Sequence, residues 1–205
     1  RRFNKCLDPT LHCANSAINA HSIQKATALS FISKNNHIME IVPRLKNGEM
    51  IIDFHQIGIN KASTFPGFCP KHDSRLFNSI DNKPISLDDP EQLFLLAYRA
   101  ATRELHVLME AFCRIQALYE YQVSKELVPG DSPSQSSLEA VNYSLNSWNV
   151  WRHRYKFYDL NLIDERYNSI KHSIFTIFDC RPVIAASSYI YIGTDSERYP
   201  ISLIL

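Results

Sequence analysis

The chain has 205 residues, of which 45% are hydrophobic and 21% are charged. These proportions are typical of a globular protein with a sizeable core, and they exclude a disordered chain and a fibrous repeat. Lysine and arginine number 22 against 21 for aspartate and glutamate, so a phosphate-binding surface would have to be a local patch. No apolar run has the length of a membrane span, and we expect no membrane partner.

The five cysteines favour metal binding over a disulfide framework. Their number is odd, and several lie near histidines rather than in a small cysteine-dense scaffold. We therefore expect a reducing compartment, the cytoplasm. Because the first residue is Arg1 and not Met, we also expect that the natural chain extends beyond this sequence.

The first third of the chain is irregular, with two short regular segments. Residues 22–33 carry apolar side chains at helical spacing and predict a short amphipathic helix that begins just after His21. Residues 37–42 and 49–54 are two β-rich runs on either side of Asn47-Gly48. Because this dipeptide tolerates positive φ, it predicts a β-hairpin with a type I′ turn.

Two long helices follow. Asp89 and Pro90 are typical of a helix start, and the apolar pattern continues to about Leu127. A connection rich in proline and serine separates it from a second helix, for which Ser136 and Glu139 predict a capping box and which should end near Tyr158. We expect the two helices to pack as an antiparallel pair, and the apolar stripe of the first helix could also serve a dimer.

Beyond residue 169 the composition changes to β-branched and aromatic residues. We predict the strands 174–178, 182–185, 189–192 and 201–205, which would form a small antiparallel sheet. The predicted class is therefore α+β, with a zinc-stabilised module at residues 1–87 and the helical pair plus the sheet at residues 88–205.

Cysteine and histidine side chains form two clusters in the first module. Cys69 and His72 lie three residues apart behind a tight turn at the start of a predicted helix, a spacing that lets both bind one ion. Cys6, Cys13 and His21 form the second cluster. These five candidates compete for the four positions of a structural zinc site, and the sequence leaves open which four bind.

Two resemblances rest on these residues. The stretch from Cys6 to His21, together with Cys69-Pro-Lys-His72, resembles the treble-clef zinc fold and its HNH-type nuclease relatives. This resemblance implies a metal-dependent nuclease in which His21 is the general base that activates water and Mg²⁺ helps to stabilise the transition state. The segments 20–24, 68–77 and 95–100 also resemble a group of uncharacterised bacterial proteins, a likeness that implies no activity.

The end of the second helix interleaves aromatic residues with basic ones between Trp148 and Tyr158. A nucleic-acid partner would contact Arg152, Arg154 and Lys156 and stack bases on the aromatic rings. The plainer interpretation is a core-facing aromatic stripe, because Trp148, Trp151, Tyr155 and Tyr158 recur at helical spacing.

The sequence thus favours a bacterial cytoplasmic protein with structural zinc that acts through contacts with other macromolecules. The alternative is an HNH-like nuclease acting on DNA or RNA on the same scaffold. A closed site with four protein ligands would indicate structural zinc, whereas a catalytic site keeps a position open.

Overall fold

A computed structural model describes residues 2–10, 12–130, 133–175, 181–194 and 197–204, with side chains described as far as residue 190. The architecture is α+β, as the sequence predicts. The first strand, β1 (Ile18–His21), leads into a single π-helical turn (Lys25–Leu29) and the short helix α1 (Ser30–Ile32).

The helix predicted at residues 22–33 is therefore shorter than expected. The first residues of the predicted helix make hydrogen bonds to other parts of the chain. The Ser22 backbone N–H donates to the carbonyl of Ser63 at 2.9 Å, and the Gln24 side-chain amide donates to the carbonyl of Ile80 at 2.6 Å. Because these contacts fix an extended entry, the helical turn begins only at Lys25.

The predicted hairpin is confirmed and is longer than the pattern indicated. Strands β2 (His37–Lys46) and β3 (Glu49–Gly58) pair antiparallel around Asn47 and Gly48. The φ angles of 53° at Asn47 and 84° at Gly48 are both positive, as a type I′ turn requires.

After the hairpin, strand β4 (Thr64–Phe68) returns to pair antiparallel with β1 and runs directly into helix α2 (Pro70–Asp81). The hairpin β2–β3 is thus an insertion between the two strands of this pair. Pro70 suits the first helical position, since it has no N–H to leave unsatisfied.

Helix α3 (Pro90–Ser124) begins where predicted. The Asp89 carboxylate accepts from the N–H groups of Glu91 and Gln92 at 3.0 and 3.2 Å, which caps the helix. Helix α4 (Gln135–Arg154) packs against α3 as its antiparallel partner. The predicted capping box at Ser136 and Glu139 is wrong, because Ser134 and Ser137 cap each other's backbone instead.

Helix α4 continues through a π-helical turn (Tyr155–Asp159) into helix α5 (Leu160–Ile163), and a 3₁₀ turn follows at Tyr167–Ser169. Strands β5 (Ser187–Thr194) and β6 (Glu197–Ile204) form the C-terminal antiparallel pair. The strand predicted at 182–185 is wrong, since these residues have no regular structure; of the strand predicted at 174–178, residues 176–178 lie outside the described residues.

The core joins both predicted domains. Phe68, Phe77 and Ile80 from the first module pack in one cluster with side chains of α3, α4 and the following turn, namely Phe94, Tyr98, Leu105, Val150 and Tyr158. The boundary at residue 87 therefore lies in a linker, while the packing continues across it.

Candidate metal centre

The turn between β4 and α2 positions Cys69 and His72. Cys69 stands at the N-cap of α2 and His72 in its first turn, so both side chains point to the same end of the helix. The Cys69 side chain is 1% exposed. This is the geometry that the three-residue spacing predicted.

The N-terminal segment brings Cys6 and Cys13 to the same place. The Leu7 N–H donates to the carbonyl of Gly67 at 2.8 Å, and this hydrogen bond lays the segment along the end of β4. An isolated bridge between Lys5 and Ser16 closes the loop that carries Cys13. The backbone N–H of Cys69 also donates to the Cys6 sulfur at 3.2 Å.

The four ligand atoms of Cys6, Cys13, Cys69 and His72 all lie within 4.8 Å of one another. The His72 Nδ1 atom is 3.3 Å from the Cys6 Sγ and 3.5 Å from the Cys69 Sγ, and the Cys13 and Cys69 sulfurs are 3.8 Å apart. In a tetrahedral zinc site with Zn–S near 2.3 Å and Zn–N near 2.0 Å, these edges should measure about 3.8 Å between sulfurs and about 3.5 Å between sulfur and nitrogen. The observed distances fit these values, so the cluster could hold a metal ion.

Asp8 supports the histidine from behind. Its Oδ1 atom lies 3.4 Å from the His72 Nε2, on the side of the ring away from the sulfurs, and 3.4 Å from an Arg75 guanidinium nitrogen. The Asp8 carboxylate is 2% exposed and also accepts from the Thr10 hydroxyl. At this ion-pair distance the carboxylate favours a proton on Nε2, which would leave the Nδ1 lone pair free for a metal ion.

The two buried thiols differ in acidity, because hydrogen bonds offset burial at only one of them. Desolvation raises the pKa of Cys6 to about 12. Burial also acts on Cys69, but hydrogen bonds from the His72 N–H and from the neighbouring thiols outweigh it, so the pKa of Cys69 is lowered. Since a metal binds thiolates, an ion at this site would replace the protons that burial favours.

His21 is not part of the cluster. It ends β1, and its Nδ1 lies 2.9 Å from the carbonyl oxygen of Ala62. The sequence grouped His21 with Cys6 and Cys13 because they are close along the chain, but β1 carries His21 away from the turn at Cys69 through its register opposite Thr64. Burial lowers the pKa of His21, so the ring is neutral near pH 7.

Arg154 was predicted to face nucleic acid, but it is fully buried. Its guanidinium pairs with Asp159 at 3.2 Å and donates to the carbonyl of Leu7 at 2.8 Å. Leu7 is the neighbour of Cys6, so this arginine ties the cysteine-bearing N-terminal segment to the end of α4. Sequence reasoning missed both this role and that of Asp8; the only signal for Asp8 was its position two residues after Cys6.

The aromatic stripe at the end of α4 divides between core and surface. Tyr158 is buried, whereas Trp148 and Tyr155 are 55% and 41% exposed. The rings of Trp148 and Trp151 stack at 4.9 Å, and those of Trp151 and Tyr155 stack at 5.6 Å. The predicted core-facing stripe is therefore wrong for Trp148 and Tyr155. Arg152 and Lys156 in the same stretch are exposed, and the Lys156 ammonium lies 5.2 Å from the centre of the Phe157 ring.

No helix in the described ranges combines the length and the apolar character needed to cross a lipid bilayer. Comparisons of the chain with protein-family models, with curated proteins and with solved structures find no match.

Proposed function

We propose that the protein binds one zinc ion at Cys6, Cys13, Cys69 and His72, and that this zinc is structural. The observation that carries the proposal is the tetrahedral spacing of three sulfurs and one imidazole nitrogen. Thiolate-rich tetrahedral sites select zinc among the common divalent ions. Four protein ligands fill all positions of a zinc ion, so such a site has no place for substrate or a reactive water.

Elemental analysis of the purified protein tests this assignment. We expect about one equivalent of zinc per chain, as a single closed site requires. Cys69→Ser should lose the metal, whereas Cys113→Ser should keep it, because Cys113 lies on α3 outside the cluster. Metal-free protein whose melting temperature is unchanged by chelator would contradict the proposal.

The wider setting of the site extends the proposal. Strands β1 and β4 followed by α2, whose first turn supplies two of the four side chains, support a treble-clef-like module. Free thiols at Cys6, Cys13 and Cys69 support a reducing compartment such as the cytoplasm. The resemblance to bacterial proteins supports a bacterial source.

The proposed macromolecular partner is single-stranded nucleic acid. Its support is an exposed set of aromatic and basic side chains on α4 and the turn that follows, namely Trp148, Arg152, Tyr155 and Lys156. Exposed rings can stack on bases, and the two cations beside them can neutralise phosphates. Arg154 contributes nothing to this face, since it is fully buried.

A gel-shift titration at several salt concentrations tests this partner. We expect binding to weaken steeply as salt rises and to be lost in the double variant Arg152→Ala, Lys156→Ala. The matched control is Lys25→Ala with Lys34→Ala, which removes the same charge from exposed positions elsewhere. Binding that ignores salt, or equal loss in both double variants, would count against a nucleic-acid role for this face.

The orientation of His21 favours nuclease activity as a second candidate function. A carbonyl oxygen can only accept, so the His21 Nδ1 carries the proton and its Nε2 is left with a lone pair able to accept a proton from water. The lowered pKa keeps this base neutral at physiological pH. Asp81, a nearby carboxylate, is engaged by Arg99 through two hydrogen bonds of 2.8 and 2.7 Å, so a Mg²⁺ ion there would have to compete with a guanidinium.

Cleavage assays on plasmid and on RNA with Mg²⁺ or Mn²⁺ test this second function. We expect His21→Ala to abolish cleavage and His55→Ala, an exposed histidine on the hairpin, to retain it. Equal background cleavage by the wild type and by His21→Ala would exclude His21 as a general base.

A further inference from the structure

The two faces of the β2–β3 hairpin have opposite chemical character. In the antiparallel register Ile41 lies opposite Phe54, Pro43 opposite Ile52, and Leu45 opposite Met50. Directly opposed residues share a face of a two-stranded ribbon. Together with Met39 and Gln56, these side chains form one face, here called the apolar ribbon face. Residues 39–56 are all described by the structure, and none of those on this face has an ionisable side chain.

The other face, here called the polar face, carries every Asp, Glu, Lys and Arg side chain of the two strands, but it also carries Ile38, Val42, Ile51 and Ile57. It pairs Glu40 with His55, Val42 with Asp53, and Arg44 with Ile51. Arg44 makes an ion pair of 3.6 Å with Asp53 and a hydrogen bond of 3.1 Å with His55. The aliphatic side chains of the polar face are half-buried, so the apolar ribbon face is the more exposed of the two.

The apolar ribbon face is exposed throughout its length. Its six large apolar side chains are between 58% and 76% exposed, namely Met39, Ile41, Leu45, Met50, Ile52 and Phe54. With about 200 Å² for each whole residue when fully exposed, these fractions leave roughly 800 Å² of mostly apolar surface, compared with about 300–600 Å² for the largest apolar patch on a typical monomer. Each partner in a standard protein interface buries about 800 Å².

Backbone hydrogen bonds continue past the ends of the two strands. The Ile59 N–H donates to the carbonyl of Asn36 at 2.9 Å, and Lys34 and His37 exchange backbone hydrogen bonds of 2.9 and 3.0 Å. A ribbon whose strands are already held in one register loses less conformational entropy on docking than a flexible segment would.

We propose that the apolar ribbon face is the interface of a homodimer, in which the hairpins of two copies pack face to face about a two-fold axis. A two-fold interface places the same patch against itself, so any charge on it would meet its own copy. The apolar ribbon face has no such charge, and the area from two copies matches a standard interface. The proposal goes beyond the metal site and the nucleic-acid face, neither of which includes hairpin residues.

Sedimentation velocity on the zinc-loaded full chain tests the proposal. We expect the wild type to be a dimer at about 50 μM, where a low-micromolar dissociation constant gives mostly dimer. Ile52→Glu should raise the dissociation constant at least about 100-fold, since each copy would bury an unpaired charge. The matched control is Ile51→Glu, one residue away on the polar face and opposite Arg44, which should remain dimeric.

Ile41→Lys gives a second disruption on the opposite strand. Zinc content is measured on every sample, so that failure of the zinc proposal can be told apart from failure of the dimer proposal. A variant that keeps its zinc but no longer dimerises has lost only the hairpin interface. A wild type that stays monomeric would overturn the proposal. A dimer that survives both Ile52→Glu and Ile41→Lys would also overturn it, because the interface would then lie on another surface, such as the exposed Leu138, Val141 and Leu145 of α4. A dimer that Ile51→Glu disrupts equally would overturn it as well.

Discussion

At the scale of single residues, Asp8 is not a candidate metal ligand, but it can affect how well the neighbouring His72 would bind a metal ion. The Asp8 carboxylate is buried between the His72 ring, the Arg75 guanidinium and the Thr10 hydroxyl. The negative charge 3.4 Å from Nε2 favours a proton on that nitrogen and so a free lone pair on Nδ1, which faces the sulfurs of Cys6 and Cys69.

We predict that Asp8→Asn weakens zinc binding by about 10- to 100-fold, the range found when a carboxylate behind a metal-bound histidine is removed. The affinity would be measured by competition with a chromophoric chelator. Asp53→Asn on the exposed hairpin is the control and should bind zinc as the wild type does. An unchanged affinity in Asp8→Asn would show that the imidazole is oriented by other contacts.

Arg154 is the second residue whose surroundings define its role. It is fully buried with Asp159, which also accepts from the Tyr98 hydroxyl at 2.9 Å. Desolvation raises the pKa of Asp159 although the arginine acts against it. An arginine left alone, or a carboxylate left alone, would be an unpaired charge in the core.

We predict that Arg154→Met lowers the free energy of unfolding by about 3–5 kcal/mol, because it strands the Asp159 carboxylate. The double variant Arg154→Met, Asp159→Leu should recover much of this loss. Urea denaturation followed by circular dichroism measures both values. The exposed Arg152→Met is the control, and an effect equal to that of Arg154→Met would contradict the assigned role of the buried pair.

These residues mark the limit of prediction from sequence. Cys69 and His72 could be predicted as a pair, because one helical turn fixes their separation. The union of this pair with Cys6 and Cys13, and the exclusion of His21, depend on the pairing of β1 with β4. Arg154 could not be assigned either, because basic residues at a helix end resemble a solvated face until the partner that buries them is known.

At the scale of elements, two short-range signals were reliable, while a third, the capping box expected at Ser136 and Glu139, is formed by Ser134 and Ser137 instead. The Asn47-Gly48 turn and the Asp89 cap each depend on a few neighbouring backbone groups, and both are confirmed. The π-helical turn after α4 had no such signal. Because π-helical hydrogen bonds join residues i and i+5, the turn stacks Asp159 over Arg154 and thus depends on the buried pair that it creates.

Helix α3 also anchors the N-terminal segment, through His106 and Glu110. The His106 Nε2 lies 3.2 Å from the carbonyl oxygen of Phe3, and Glu110 accepts from the Phe3 N–H at 2.6 Å. Burial lowers the pKa of His106, although the Phe3 carbonyl and Glu110 act to raise it, while Arg103 and Arg114 contribute to the decrease.

We predict that His106 makes the fold less stable in mild acid. Its pKa is lower in the folded state than the value near 6.5 expected when unfolded, so the unfolded state takes up the proton first as pH falls through this value. The free energy of unfolding should therefore decrease below about pH 6.5, and less steeply in His106→Gln. Urea denaturation at several pH values measures the slopes, with His55→Gln as the control. Equal slopes in all three proteins would refute the prediction.

At the scale of the whole molecule, the metal cluster and the helical core are one packing unit. Cys6 and Cys69 belong to the same buried cluster as Phe94, Tyr98 and Tyr158. The Leu7 carbonyl, beside Cys6, accepts from Arg154. Loss of the ion should therefore also destabilise the helical core.

We predict that removal of zinc by chelator lowers the melting temperature of the entire chain in a single transition. The fluorescence of Trp148 and Trp151 on α4 should give the same midpoint of thermal unfolding as circular dichroism gives for the backbone. A metal ion that binds only the folded state stabilises every part of the chain that unfolds together with the site. Two separate transitions, with the tryptophan signal unchanged by chelator, would instead indicate that residues 1–87 unfold independently.

The placement of the hairpin between β1 and β4 has a consequence for how this chain can vary. Cys6 and Cys69 are 63 residues apart, and the hairpin belongs to the long loop that an ion would close. The entropy of closing a loop rises only with the logarithm of its length. Ribbons of other lengths or sequences could therefore replace this one at nearly constant cost, which would let the recognition properties of the protein diverge while its coordination chemistry stays the same.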